Sequence, residues 1–210
     1  MALVTASHTS SWLNLDSWSE TYVGARWLVE NVLPEKQHQS SPEHGPISQM
    51  ALLASHHMIA VMLFSCLKKQ IEELSLPDSE IETKIRKLDK MRFHEAFTEW
   101  EKLVPSMGCF VYDSEPYISI DRLRLRRNET IHKKSALSSL EMARSAVYTA
   151  VTASKEIYQH FNKNAAFTYE PVLKKYPLGI FPLFGEIIYP EDRHKAKTTN
   201  KGLQPTGKSG

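Results

Sequence analysis

The chain is poor in cysteine and glycine, and its charges nearly balance. Cys66 and Cys109 are the only two cysteines in 210 residues, too few for a disulfide framework that a chain of this length does not need. Eight glycines and eleven prolines exclude collagen-like and low-complexity architectures for the chain as a whole. A net charge of +2 excludes a polycation, so any nucleic-acid footprint must be local. Met1 to His8 lacks a basic stretch followed by an apolar run, so no signal peptide is expected and the cytoplasm is the expected compartment. The common catalytic signatures are missing too. There is no Gly-x-Ser-x-Gly elbow and no Cys-x-x-Cys pair. His94-Glu95 opens like a zinc-protease motif, but Thr98 stands where the second ligand belongs. His56 and His57 are adjacent and so point to different helix faces; all three histidines are expected to be core or surface residues with their hydrogen bonds satisfied. Gly202 to Ser209 has the letters of a phosphate-binding P-loop but is followed only by Gly210, not by the helix that the mechanism requires.

Apolar spacing defines what is there. Ile47 to Leu67 carries no Asp, Glu, Lys or Arg and is long enough to cross a bilayer. However, His56, His57 and several hydroxyl residues interrupt it, and its helical pattern continues through Lys68 and Lys69 to Leu74. A buried core helix is expected and no membrane span. That helix, from Pro46 to Leu74, has two apolar stripes, which implies a central place or a shared subunit interface. Before it, Ser17-x-x-Glu20 reads as a capping box for a helix over Trp18, Tyr22, Ala25 and Val29, ended by Pro34. After it, Pro77 and Asp78 open a charged helix with one narrow apolar face from Ile81 through Phe97 to Val104. Residues 105–116 read as a loop, Ser119 or Asp121 opens a helix to His132, and Lys133-Lys134-Ser135 breaks it. Ser138-x-x-Glu141 caps the last long helix, to Phe161.

No strand-like alternation precedes residue 165. The expected fold is all-α, an up-and-down bundle of about five helices with a non-helical aromatic C-terminal extension. Its expected parts are an N-terminal extension with one amphipathic helix (1–45), the bundle (46–162), an aromatic, proline-punctuated lasso (163–190) and a disordered tail (191–210).

Residues 121–134 hold the densest positive patch: Arg122, Arg124, Arg126, Arg127, Lys133 and Lys134 against Asp121 and Glu129. Arginine forks match phosphate geometry. Within the patch, Arg127-Asn128-x-x-x-His132 resembles the Arg-x4-His motif, often with Asn after the Arg, of HEPN domains. Chance supplies that longer pattern in about one in a hundred chains of this composition. HEPN domains are all-α, and many are metal-independent endoribonucleases of toxin–antitoxin, defence and RNA-processing systems. The resemblance spans residues 46–162. It implies cleavage of RNA by ribose 2′-OH attack on the adjacent phosphate, with His132 as general acid/base, Arg127 stabilising the phosphate and Asn128 orienting either group. Arg124, Arg126, Lys133 and Lys134 would hold flanking phosphates. The implied chemistry calls for no metal and no cofactor. The implied partners are RNA, a second copy in a homodimer with a composite cleft, and an antitoxin or regulatory protein. Lys134 stands where members paired with a nucleotidyltransferase antitoxin carry Tyr. The alternative is a non-catalytic helical module that binds RNA, a nucleotide or a protein. Because Arg127 and His132 lie about 140° apart on a regular helix, they converge only if the helix ends at His132 or a second subunit completes the site.

Overall fold

The computed structural model describes residues 16–38, 44–105, 107–132, 138–163 and 165–189. Every regular element among them is helical, so the fold is all-α. The doubled lysine Lys133-Lys134, the tail and the P-loop-like letters lie outside the described residues.

The first helix, α1 (Ser17–Trp27), begins one residue earlier than a Ser17 cap requires. Asp16 is the cap, its carboxylate accepting the Trp18 amide at 3.1 Å. Trp18, Tyr22, Ala25 and Val29 are buried, as their three- and four-residue steps dictate. Pro34 does not end the helical run. A π-turn at Leu28–Val32 closes with the Leu33 amide on the Leu28 carbonyl, and α2 (Leu33–His38) follows. The wide turn brings Pro34 in as the second residue of a new segment, where its missing N–H costs little.

The charge-free run forms α3 (His44–Glu72). By length and composition it would suffice to cross a membrane, yet half of its most apolar stretch is buried within the chain. One stripe is covered: Leu52, Ile59 and Leu63 are fully buried, and Met62 and Cys66 nearly so; on the other Leu67 and Ile71 are buried, Val61 and Phe64 are half-buried and Met50 is exposed. Trp18 and Tyr22 of α1 belong to the same core. The chain's own N-terminal helix thus takes up part of the apolar surface of α3, while Trp27 remains 56% exposed.

The apolar face from Ile81 to Val104 is carried by several elements rather than one. α4 (Asp78–Lys90) stops at Met91, whose backbone is extended, and α5 (Phe93–Glu99) restarts with the Glu95 carboxylate accepting the Arg92 amide at 2.9 Å. A 3-10 turn, Trp100–Lys102, follows. Helix α6 (Tyr117–His132) starts ahead of Ser119 because Glu115 reaches forward to accept the Ser119 amide at 3.2 Å. Helix α7 (Leu140–Phe161) is capped by Ser139, not Ser138; its hydroxyl accepts the Met142 amide at 3.2 Å.

Side-chain contacts fix the directions of these helices. Lys69 donates to Asn162 at 2.8 Å, while Ala51 clusters with Leu140, Ala143 and Val147, so α3 and α7 run the same way. Trp18 Nε1 donates to Ser154 Oγ at 2.9 Å, and Ala25 and Val29 sit near Leu140, so α1 runs against them.

The aromatic extension is ordered and is partly helical, with α8 at Glu170–Lys175. Beyond it, residues 176–189 lie across the bundle as a strap. The Tyr22 hydroxyl donates to the Tyr176 carbonyl, and Arg26 Nε to the Pro177 carbonyl at 2.6 Å. The Phe184 amide donates to Thr149 Oγ1 at 2.8 Å, the Gly185 amide to Ser119 Oγ at 2.7 Å, and Arg122 to the Gly185 carbonyl. Phe184 is fully buried.

Candidate functional site

Helix α6 presents two chemically different sides. With a step of 100° per residue, Ser119, Arg122 and Arg126 share one side, and Arg124, Arg127 and Asn128 lie largely opposite. The first side meets the strap. Arg126 is only 2% exposed; its Nη1 donates to Glu129 at 3.1 Å, and its guanidinium lies 4.7 Å from the centre of the Tyr189 ring. Arg122 lies 4.9 Å from the same ring. The expectation that Arg126 holds a flanking phosphate is therefore corrected: its cation is built into the interior.

The second side opens on a cavity of about 580 Å³ lined by His56, Arg92, Phe93, His94, Glu95, Arg124, Arg127, Asn128 and His132. Three of the motif's positions, Arg127, Asn128 and His132, thus reach one space within one chain. Asn128 Oδ1 accepts from Arg127 Nη1 at 3.1 Å, which holds the guanidinium. Arg124 is steadied by Asp121, whose Oδ1 accepts from its Nε at 2.9 Å and its Nη2 at 2.7 Å. Three arginines therefore face one cavity, with a single lining carboxylate, Glu95, whose Oε2 is engaged by the Arg92 amide. Fixed guanidinium groups around a partly enclosed space suit a phosphate or another oxyanion.

The deepest member of the wall is His56. It is 9% exposed, and its Nε2 is enclosed without a hydrogen-bond partner. Its pKa is pushed down to about 4, first by burial and then by the positive charges of Arg127, Arg124 and His57. The ring is therefore neutral near pH 7. It meets Phe93 edge-on at 4.6 Å between centroids. His57, one residue on, turns outward to Ser17, 3.4 Å from its hydroxyl, so the two histidines do point apart.

The sequence reading did not connect His56, Arg92, Phe93 or His94 with the motif. His94-Glu95 does carry a signal, though not a metal one: Glu95 caps α5 and so brings Arg92, Phe93 and His94 to the cavity. Among the described residues no group of three or more His, Cys, Asp or Glu is placed to hold a metal ion. Lys133 and Lys134 follow directly on His132 but lie outside the described residues. Comparison with protein-family models, with curated proteins and with solved structures returns no match.

Proposed function

We propose that the chain is a metal-independent endoribonuclease of HEPN type. The observation that carries this reading is the convergence of Arg124, Arg127, Asn128 and His132 on one basic cavity, walled on its far side by Arg92 and the neutral ring of His56. In the proposed reaction the ribose 2′-oxygen attacks phosphorus, the bond from phosphorus to the 5′-oxygen breaks, and a 2′,3′-cyclic phosphate and a 5′-hydroxyl result. One proton leaves the 2′-hydroxyl and one reaches the departing oxygen. His132 serves in this proton traffic as general acid/base. Arg127, held by Asn128, and Arg124 neutralise the charge that gathers on the phosphoryl oxygens. Lys133 and Lys134 are proposed to hold the flanking chain.

The homodimer remains part of the proposal. Leu125 and Ile131 are about half exposed on the helix that carries the site and offer it an apolar contact. The second reading, a phosphate- or nucleotide-binding module without turnover, is favoured by one feature: Arg124 already shares its charge with Asp121, which leaves less of it to stabilise a transition state.

The experiment is incubation of the full chain with single-stranded RNA in EDTA. Cleavage lost in both His132→Ala and Arg127→Ala, with unchanged helicity, is the expected result. Binding without cleavage selects the second reading, and neither binding nor cleavage overturns both.

A further inference from the structure

A second cleft, of about 400 Å³, adjoins the basic cavity and shares two of its walls, His94 and Arg124. The rest of its lining combines aromatic and apolar side chains, Phe97, Tyr112, Tyr117 and Ile118, with Thr98, Asp121 and Arg122. Phe97 and Tyr117 are buried, whereas Tyr112 is 37% exposed and Ile118 is 39% exposed. The loop between α5 and α6 therefore sets an open aromatic ring beside a cluster of guanidinium groups.

Tyr112 is fixed rather than free. Its hydroxyl donates to the Phe97 carbonyl at 2.8 Å, so the polar end is anchored. The rings that touch it, Phe97, Phe110 and Tyr117, meet it at interplanar angles of 79°, 79° and 66°, all edge-on rather than stacked. An anchored, half-open aromatic ring with no stacked neighbour among these is a ready platform for a flat ligand ring, since ordering it costs no further side-chain entropy.

A nucleotide joins an anion to a flat ring through one sugar. The two adjoining cavities carry the matching halves on either side of a shared arginine. We propose that the cleft bounded by Tyr112, Tyr117 and Ile118 is a nucleobase subsite, which stacks the base of the nucleotide whose phosphate lies among Arg92, Arg124 and Arg127. The substrate class is accordingly single-stranded, because a base paired in a duplex is not free to enter the cleft. The inference rests on the phosphate-binding side of the reading above and not on its chemistry.

The test compares ribose 5-phosphate, AMP and 2-aminopurine riboside 5′-monophosphate as ligands of the full chain. The wild type is expected to bind AMP about tenfold more tightly than ribose 5-phosphate, the scale of one base–aromatic stack. Tyr112→Leu is expected to erase that preference and leave ribose 5-phosphate binding as it was. Tyr112→Phe, which keeps the ring, is expected to retain most of it. Quenching of 2-aminopurine fluorescence on binding to the wild type reports the stack directly and needs no variant. Equal affinities for AMP and ribose 5-phosphate, absence of quenching, or a preference that survives in Tyr112→Leu would each overturn the subsite. Failure of all three ligands to bind removes the phosphate site along with it. An AMP preference in a protein that does not cut RNA upholds the subsite and refutes only the ribonuclease reading.

Discussion

His56 gives the most quantitative handle on the site. Its neutral ring is the form that the fold accepts, because burial and the charges of Arg127, Arg124 and His57 oppose a proton there. As the pH falls below 6.5 the unfolded chain takes up a proton at this residue, while the folded one resists it down to about 4. Stability is therefore fully present above the upper value, declines between the two, and levels out below the lower one. For that interval the linkage gives a loss of roughly 2 kcal/mol between pH 7 and pH 5. The assay is urea unfolding followed by far-ultraviolet circular dichroism at pH 5, 6 and 7, on the wild type and on His56→Gln. The slope difference between the two, rather than either stability alone, isolates the residue, because all other titrating groups are shared. Inorganic phosphate adds a second arm. An anion among Arg92, Arg124 and Arg127 offsets their charge and makes the His56 proton easier to accept, so phosphate should narrow the difference at pH 5. Parallel pH profiles for wild type and variant would refute the enclosure of His56, and a phosphate-insensitive difference would refute the anion site beside it.

Three further outcomes are expected. Arg126→Ala should lower stability by about 2 kcal/mol, from the lost Glu129 hydrogen bond and Tyr189 contact, and leave the salt dependence of RNA binding unchanged; a flatter salt slope would return this arginine to the phosphate contacts. Gly185→Ala places a Cβ 2.8 Å from the buried Ser119 hydroxyl and should cost about 1–3 kcal/mol, read as a lower melting temperature. Trp18→Ala removes a fully buried ring and its hydrogen bond to Ser154, and a loss of about 3–5 kcal/mol is expected from chemical unfolding.

Helical periodicity was the legible part of this sequence, and it fails in instructive places. The apolar residues from Ile81 to Val104 keep helical spacing across the break at Met91–Arg92, so periodicity alone joins two helices that a single carboxylate cap separates. Pro34 reads as a stop because a π-turn leaves no mark in composition. At the site, the Arg127–His132 spacing was readable; that both line one cavity of a single chain was not, since about 140° of helix separates them. Arg126 was misassigned by counting charge along the chain instead of around the helix; a 100° step already sets it on the side of Ser119 and Arg122. His56, Arg92 and Phe93 were not readable as site residues. They reach the cavity only when α3 and α5 close on α6, and no local pattern encodes that meeting.

The strap gives α6 a back support. Ser119 and Arg122 hold it by hydrogen bonds, Arg126 seats against Tyr189, and the cavity residues project from the other side of the same helix. The smallest autonomous folding unit consequently does not end with the last long helix at Phe161, where a helix count would cut it. A chain shortened there would keep every residue of the basic cavity and lose the splint behind it, so α6 would be free to rock and the spacing among its arginines would no longer be set. Dissection of this protein into a working fragment has to carry the chain through at least Tyr189.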